Sequence, residues 1–256
     1  MSDLGKAVRL QRLFQSSSGR AFFVALDHLC NYTGELPQAL REMAKTLADV
    51  AAGRPSGIVL NKGAALRFFL PYAGQIPLLI QQTAIRRDSP YFVVHASVEE
   101  VVRLGADAIA VALCVRHEEE ALHLSHLGKV VTEAQRYGLP VIPHIYPLRY
   151  EGGQRTVSLA PEDIFYAVRV GLELGADAVK VPFTGDVLSF QDIVRQTPIP
   201  IVCAGGPQCD TLGDALTMVR KIVESGAAGA TMGRNVWGFP PVTETTVQIR
   251  RILLEE

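Results

Sequence analysis

The sequence predicts a (β/α)8 barrel, because eight short apolar runs alternate with longer amphipathic segments along 256 residues. The runs lack polar alternation, which is typical of parallel strands buried on both faces. In chain order they are Ala21–Leu26, Gly57–Leu60, Pro77–Ile80, Ala108–Leu113, Pro140–Ile145, Ala178–Pro182, Ile199–Cys203 and Ala228–Met232.

Helical patterns occupy the segments between these runs. They are Leu36–Ala52, Ser97–Leu104, Glu118–Tyr137, Pro161–Leu174, Phe190–Gln196 and Leu212–Ser225. Two begin with start signals, since Ser97 precedes Glu100 by three residues and Pro161 stands in a first turn. The sequence Leu-Gly-Ala-Asp-Ala occurs at Leu104–Ala108 and at Leu174–Ala178, with a glycine at a helix end just before a strand. This repeated junction indicates successive βα units.

The other architecture considered is an open doubly wound sheet, which usually has fewer strands and a glycine-rich turn after the first. Here the first run ends in Ala25-Leu-Asp-His28 and no Gly-x-Gly-x-x-Gly follows. Because no linker or low-complexity segment interrupts the chain, we expect one domain over residues 1–256. Residues 1–20 are expected to form an N-terminal helix and loop that close the base of the barrel.

Composition argues against several classes of partner. The net charge is −1 and neither sign clusters, so nothing favours a nucleic acid or an acidic membrane. No apolar run reaches the roughly 20 residues of a membrane span, and the first residues lack a signal peptide's apolar segment. The cysteines form no Cys-x-x-Cys pair and are expected to be reduced; they are Cys30, Cys114, Cys203 and Cys209. These features predict a cytoplasmic protein.

Lys180 is the most informative residue, because a charged ammonium inside the apolar run Ala178–Pro182 is costly to bury. Burial lowers the pKa of a lysine, and a partly neutral lysine can attack a carbonyl to form a Schiff base. The alternatives are a lysine whose ammonium reaches solvent at the barrel mouth and a lysine that binds phosphate. In barrels the carboxyl ends of the strands carry the catalytic groups, and Lys180 lies near one such end.

Two other strand ends supply candidate partners for Lys180. Tyr146 is a candidate general acid/base, and Asp27 is a candidate partner for a substrate hydroxyl or a carbinolamine. Each also has a structural interpretation, since Tyr146 could pack on Pro147 and Asp27 could cap the next segment.

Four further polar residues are expected at the mouth. His28 and His144 are candidate proton shuttles, although a lone histidine at a strand end is more often structural. Lys62 and Arg149 are expected to bind anions, and Lys62 is the leading rival for the nucleophile.

Glycines follow the seventh and eighth strands, where barrels often bind phosphate through backbone N–H groups. Gly205 and Gly206 follow one strand, and Gly233 and Arg234 follow the next. Glycine lets an anion approach the backbone, and arginine adds a bidentate donor. The alternative is that these glycines only permit tight turns, but their position at adjacent strand ends favours phosphate.

A cluster of histidines and glutamates begins the helical pattern after strand four. It comprises His117, Glu118, Glu119, Glu120, His123 and His126. His123 and His126 have a spacing found among metal ligands, but a solvated, charged helix face is the expected interpretation. We therefore expect no metal site.

The chain resembles a known family in several ordered motifs. These are Ala25-Leu-Asp-His28, Tyr146-Pro147, Gly175-Ala-Asp-Ala-Val-Lys180, Thr184-Gly-Asp186, Ala204-Gly-Gly-Pro207 and Gly226-Ala-Ala-Gly-Ala-Thr-Met-Gly-Arg-Asn235. They are similar to those of the archaeal-type class I fructose-bisphosphate aldolases of the DeoC/LacD-like superfamily. That superfamily also contains 2-amino-3,7-dideoxy-heptulosonate synthases and an autoinducer-phosphate thiolase. The segment Arg9–Phe14 and the turn Asn61–Gly63 are most similar to the synthase branch.

The resemblance implies a metal-independent aldolase without a cofactor, acting on a sugar phosphate and an aldehyde. It implies that Lys180 forms the Schiff base, that Tyr146 moves a proton, and that Asp27 is a catalytic carboxylate. It also implies that Gly205, Gly206, Gly233 and Arg234 hold a substrate phosphate. From their places at the strand ends, we expect His28, Lys62 and Arg149 to be further substrate-binding residues. A homo-oligomer, often of ten subunits, is implied as well.

Two positions depart from the family pattern, since Leu29 stands where the family has glycine and the basic residue Arg149 is displaced by one position. Both positions are expected to line the part of the mouth where the aldehyde would bind, so the identity of the aldehyde is not fixed by the resemblance. Two other functions remain open: acyl transfer on a keto-pentose phosphate, as in the thiolase branch, and non-catalytic sugar-phosphate binding.

Overall fold

Eight parallel strands close into a barrel in a computed structural model, which describes residues 3–31, 35–85, 92–152 and 154–255. The strands are β1 (Ala21–Ala25), β2 (Gly57–Asn61), β3 (Leu78–Gln81), β4 (Thr83–Ile85), β5 (Phe92–Val94), β6 (Ala108–Val115), β7 (Val141–Glu151), β8 (Gln154–Val157), β9 (Val179–Pro182), β10 (Ile201–Ala204) and β11 (Gly229–Met232). The barrel order is β1, β2, β3, β6, β7, β9, β10 and β11, with β11 paired to β1. The predicted fold class is confirmed, and each predicted run contributes a barrel strand.

Helices pack around the outside of the barrel and at its ends. They are α1 (Leu4–Leu13), α2 (Gln38–Arg41), α3 (Met43–Ala52), α4 (Lys62–Phe68), α5 (Val98–Arg103), α6 (Glu120–Gln135), α7 (Pro161–Glu173), α8 (Val187–Arg195), α9 (Leu212–Glu224), α10 (Arg234–Trp237) and α11 (Val242–Leu254). Two 3-10 turns, His28–Asn31 and Leu70–Tyr72, complete the described elements. Within the described ranges, no helix combines the length and apolar character needed to cross a membrane.

The core has two layers. The outer layer lies between strands and helices, whereas the inner layer fills the barrel with small side chains such as Ala108, Ala110 and Ala178. Leu13 and Phe14, from the end of α1 and just after it, pack into this inner layer. The small alanines leave space for these two larger side chains, so α1 is tied to the barrel interior.

The repeated Leu-Gly-Ala-Asp-Ala junction holds strands together at the amino-terminal end of the barrel. In the first copy Asp107 accepts a hydrogen bond from the N–H of Leu78 and donates its own N–H to the Leu78 carbonyl. In the second copy Asp177 makes the same pair of bonds with Val141. The two aspartates also pair with α1, through Arg12 at 3.2 Å and Lys6 at 3.0 Å respectively. The repeat therefore joins neighbouring strands to the N-terminal helix.

Several elements differ from the sequence prediction. The pattern Leu36–Ala52 forms two helices, α2 and α3, and the pattern Phe190–Gln196 begins earlier, where Asp186 caps α8 through the N–H of Ser189. Helices α4, α10 and α11 and the hairpins β4–β5 and β7–β8 were not predicted. Helix α11 starts with β-branched residues of low helix propensity, and it forms because Ile249 and Leu253 are buried against the barrel.

Replacing Asp107 by Ala should lower the free energy of unfolding by about 1–3 kcal/mol, because the buried N–H of Leu78 loses its acceptor. Urea unfolding measures the change. The control is Glu173→Ala, which removes an exposed pair with Arg169 on α7 and should cost less than about 0.5 kcal/mol. Equal effects of the two substitutions would contradict a structural role for the repeat.

Candidate active site

Lys180 points into the barrel from β9. The side chains of Val179 and Val181 join the outer core, so the alternation of a strand turns Lys180 to the inner face, where only 6% of it is exposed. Burial lowers the pKa of Lys180 from 10.5 to about 8; the negative charge of Asp27 opposes this shift, and Arg234 adds to it. A fraction of Lys180 is therefore neutral near pH 7 and can act as a nucleophile.

His144 is the nearest polar neighbour of Lys180. The two residues are register partners on β7 and β9, and His144 Nδ1 lies 3.5 Å from Lys180 Nζ. Burial, with the charges of Lys180 and His28, holds the pKa of His144 well below its usual value. A neutral imidazole can accept a hydrogen bond from the amine. The sequence identified His144 only as a candidate shuttle, because the pairing of β7 with β9 cannot be read from the chain.

Tyr146 follows two residues later on β7 and so shares the inner face with His144. Burial and then the negative charge of Asp27 raise the pKa of its phenol. Tyr146 therefore keeps its proton at neutral pH and can donate it to a developing oxyanion.

Asp27 and His28 follow β1 and lie on the same side of the mouth as the loop after β11. Asp27 Oδ1 is 3.6 Å from His28 Nδ1, and burial lowers the pKa of His28 despite that carboxylate. The His28 ring packs edge-on against Trp237. A Cβ on Gly233 would lie 2.4 Å from His28 Cε1, so the glycine is required for the ring to fit. Asp27 also contributes to the charge around both Lys180 and Tyr146, which places the three groups around one site.

The two glycine loops are joined by α10. Arg234 Nη2 donates to the Gly206 carbonyl at 2.8 Å, and Asn235 Nδ2 donates to the Gly205 and Pro207 carbonyls at 2.7 and 2.9 Å. Gly206 has a φ of +66°, in the left-handed region that favours glycine. Gly205 was expected to bind phosphate, but its N–H donates to the Thr231 carbonyl and so continues the pairing of β10 with β11.

Asn235 is a residue whose role in this site the sequence reasoning missed. It is 1% exposed, and its Oδ1 accepts from the N–H of Cys209 as well. One amide side chain thus fixes three backbone groups of the preceding loop. Its position after Gly-Arg was visible in the sequence, but its partners lie 26 to 30 residues away in the chain.

Lys62 is partly exposed, Arg149 is exposed, and both are paired with acids. Lys62 begins α4 and donates to both oxygens of Glu100, at 2.8 and 3.0 Å. Arg149 lies on the β7–β8 hairpin, which continues β7 beyond the barrel, and pairs with Glu151 at 2.9 Å. Neither arrangement resembles the buried environment of Lys180, so Lys180 is the better placed nucleophile.

The prediction of a solvated face for the histidine cluster was wrong at His123, which is 2% exposed. Its Nδ1 accepts the N–H of Cys114 at 2.9 Å, at the end of β6 where a backbone donor needs a partner. Ligand atoms of His117, Glu119 and His123 lie within 4.8 Å of one another, a spacing that suits a metal ion. In neutral His123, however, the proton then resides on Nε2, and a protonated nitrogen does not bind a metal.

The comparisons with known proteins agree with this geometry. The profile of the DeoC/LacD family aldolases matches residues 19–238. The chain is 35% identical over 185 residues to the fructose-bisphosphate aldolase class 1 of Thermoproteus tenax, covering 71% of this chain and 68% of that protein. It is 31% identical to the 2-amino-3,7-dideoxy-D-threo-hept-6-ulosonate synthase of Halobacterium salinarum, covering 100% of this chain and 94% of that one.

A solved archaeal fructose-1,6-bisphosphate aldolase, with its catalytic lysine covalently bound to the carbinolamine intermediate of its substrate, has a TM-score of 0.84 to this chain. The two are 27% identical, over 97% of this chain and 99% of that one. The fold and site thus define a (β/α)8 enzyme with a buried lysine. The chain belongs to the DeoC/LacD family of aldolases.

Replacing Lys180 by Met should stabilise the fold at neutral pH. The fall in its pKa from 10.5 to about 8 means that the charged Lys180 lowers the free energy of unfolding by about 3 kcal/mol. The unfolded chain holds this proton more tightly, so the cost is complete below about pH 8 and disappears as pH rises toward 10.5.

Urea unfolding of Lys180→Met should therefore show a gain of about 1–3 kcal/mol at pH 7 and a smaller gain at about pH 10. Lys129→Met, an exposed position on α6, serves as the control and should show no such gain. A less stable Lys180→Met protein would contradict the buried-charge account.

Proposed function

We propose that this protein is a class I aldolase that makes or breaks a carbon–carbon bond in a phosphorylated ketose of the dihydroxyacetone-phosphate type. The observation that carries the proposal is the buried Lys180, whose lowered pKa suits imine formation. The family supports it, because its relatives include the Thermoproteus tenax fructose-bisphosphate aldolase.

The reaction begins when neutral Lys180 attacks the ketose carbonyl and a C–N bond forms. The resulting carbinolamine loses water to give an iminium ion. This cation accepts the electron pair released when the neighbouring C–C bond breaks, and in the reverse direction the enamine returns the pair to an aldehyde. His144 accepts a hydrogen bond from the amine before attack.

Tyr146 moves the proton on the oxygen of the aldehyde. In synthesis the phenol gives its proton to the new alkoxide, and in cleavage it takes the proton back. Its raised pKa favours the protonated form at rest. Asp27 is the carboxylate that orients the substrate hydroxyl beside the amine. Its negative charge raises the pKa of both Lys180 and Tyr146, so it lies close to both residues.

The phosphate of the ketose is assigned to the loops after β10 and β11. Arg234 supplies a positive charge there, and Gly206 and Gly233 allow close approach to the backbone. His28 lies beside Gly233. Gly205 shapes the turn. Lys62 and Arg149 are less suited to bind the phosphate, because they form ion pairs with Glu100 and Glu151 respectively.

A second candidate is a synthase that condenses a sugar phosphate with an amino aldehyde such as aspartate semialdehyde. The observation in its favour is the match to the Halobacterium salinarum synthase, which covers the whole of this chain. Product mass after incubation with each aldehyde separates the two reactions.

The cellular location and assembly complete the proposal. Cys114 and Cys203 are buried as thiols in no disulfide, which supports a cytoplasmic enzyme. A homo-oligomer is expected from the family resemblance. The near-zero net charge favours neither a nucleic acid nor an acidic membrane as partner. Light scattering of the purified protein measures the subunit number.

Sodium borohydride with dihydroxyacetone phosphate should trap a covalent adduct on the peptide that contains Lys180. Mass spectrometry of the digest locates it. Lys180→Met should abolish the adduct, whereas Lys62→Met should retain it because Lys62 is partly exposed and paired with Glu100. An adduct on Lys62, or none in the native protein, contradicts the assignment.

Tyr146→Phe should still form the trapped adduct but should turn over about 10²–10⁴-fold more slowly, because proton transfer is lost while imine formation remains. Tyr150→Phe is the matched control, since that tyrosine lies on the exposed hairpin and bonds Glu118. Steady-state kinetics and trapping are measured on both. Unchanged turnover in Tyr146→Phe would remove this residue from the mechanism.

A further inference from the structure

Several buried oxygen atoms have no hydrogen-bond partner among the described residues, and three of them lie at the carboxyl ends of β1, β2 and β3. They are Asp27 Oδ1, Asn61 Oδ1 and Gln81 Oε1. Buried acceptors without donors are rare in folded proteins, because each loses its hydration without compensation. The proposed reaction has so far given no role to Asn61 or Gln81.

The orientation of both amides is fixed by the backbone. Asn61 Nδ2 donates to the Asp27 carbonyl at 2.9 Å, and Gln81 Nε2 donates to the Thr83 carbonyl at 2.9 Å. A flip of either amide would place an oxygen against a carbonyl oxygen. The unpartnered atoms are therefore acceptors, and the site that they form requires hydrogen-bond donors.

Both amides face the barrel interior. Val59 and Leu79, two residues earlier on β2 and β3, belong to the inner core, so Asn61 and Gln81 point to the same side above them. Asn61 and Gln81 are register partners, which places their side chains next to each other. Gln81 is 3% exposed and Asp27 9%, so the acceptors are held in a largely dry environment.

The strand order places Asn61 and Gln81 across the barrel from Lys180 and from the glycine loop after β10. In the eight-stranded barrel, β2 lies four strands from β9 in either direction, and β3 lies four strands from β10. Lys180 thus faces Asn61 across the barrel, and the Gly205–Gly206 turn faces Gln81. A ketose held by its phosphate and bound through its carbonyl to Lys180 therefore extends toward β2 and β3.

We propose that Asn61 and Gln81, together with Asp27, form the subsite for the aldehyde partner, and that it takes aldehydes with a hydrogen-bond donor, hydroxyl or ammonium, on the carbon next to the carbonyl. This inference rests on the proposed aldolase function. Two amide oxygens and a carboxylate accept such donors and repel anionic groups at the same place. An aldehyde without a donor leaves the buried acceptors unpaired and therefore binds with a less favourable free energy. This difference in binding free energy selects the substrate.

The test uses three aldehydes of similar size, with dihydroxyacetone phosphate as the donor substrate. Propanal lacks a donor, 2-hydroxypropanal carries a hydroxyl, and 2-aminopropanal carries an ammonium. The native enzyme should show a kcat/KM at least about tenfold higher for one or both of the substituted aldehydes than for propanal. The better of the two identifies the donor class, and equal values for all three overturn the proposal.

Gln81→Met should lower kcat/KM for the preferred aldehyde by about tenfold and leave propanal unchanged. The matched control is Gln82→Met, because the neighbouring Gln82 is equally buried but its Oε1 already bonds His126. Retained discrimination in Gln81→Met overturns the subsite.

Borohydride trapping with dihydroxyacetone phosphate separates this inference from the function on which it rests. Trapping in Gln81→Met should equal that of the native enzyme, which also shows that the variant is folded. Absence of trapping in the native enzyme refutes the aldolase function itself. Normal trapping without aldehyde discrimination refutes only the subsite.

Discussion

The burial of one amine is the constraint on which the rest of this site depends. The closed barrel turns Lys180 inward, and desolvation brings its pKa to about 8. Burial raises the free energy of the charged ammonium, and the negative charge of Asp27 offsets part of this increase. The neutral His144 accepts a hydrogen bond from the amine. The same low dielectric keeps Tyr146 protonated. Burial thus accounts both for the lowered pKa of Lys180 and for the raised pKa of Tyr146.

The framework around this amine is held by backbone hydrogen bonds from side chains at both ends of the barrel. At the amino-terminal end, Asp107 and Asp177 join neighbouring strands and bind α1. At the carboxyl end, Asn235 fixes the loop that carries Gly205 and Gly206. These contacts are local to the strand ends, so loop residues such as Leu29 can vary while the positions of Lys180 and of the glycine loops after β10 and β11 stay the same.

The strands and the burial of Lys180 could be predicted from the sequence, because apolar runs and a lysine within one of them are local signals. The same holds for the glycines at adjacent strand ends. His144 and Asn235 could not be assigned, since each acts through a partner that is distant in the chain and that the barrel brings near. His123 was missed because its partner is a backbone N–H, that of Cys114 at the end of β6, which no sequence pattern marks. Helix α11 was missed because packing, not propensity, stabilises it. Arg149 was expected at the mouth, but the unpredicted hairpin carries it.

The most direct test of the account is the pH dependence of imine formation at Lys180, measured as the initial rate of adduct formation with dihydroxyacetone phosphate and cyanoborohydride. The neutral amine is the reactive form, so the rate should rise with pH and reach half its maximum near the folded pKa of about 8. A midpoint near 10.5, the value of an unburied lysine, would contradict the claim that burial prepares the nucleophile.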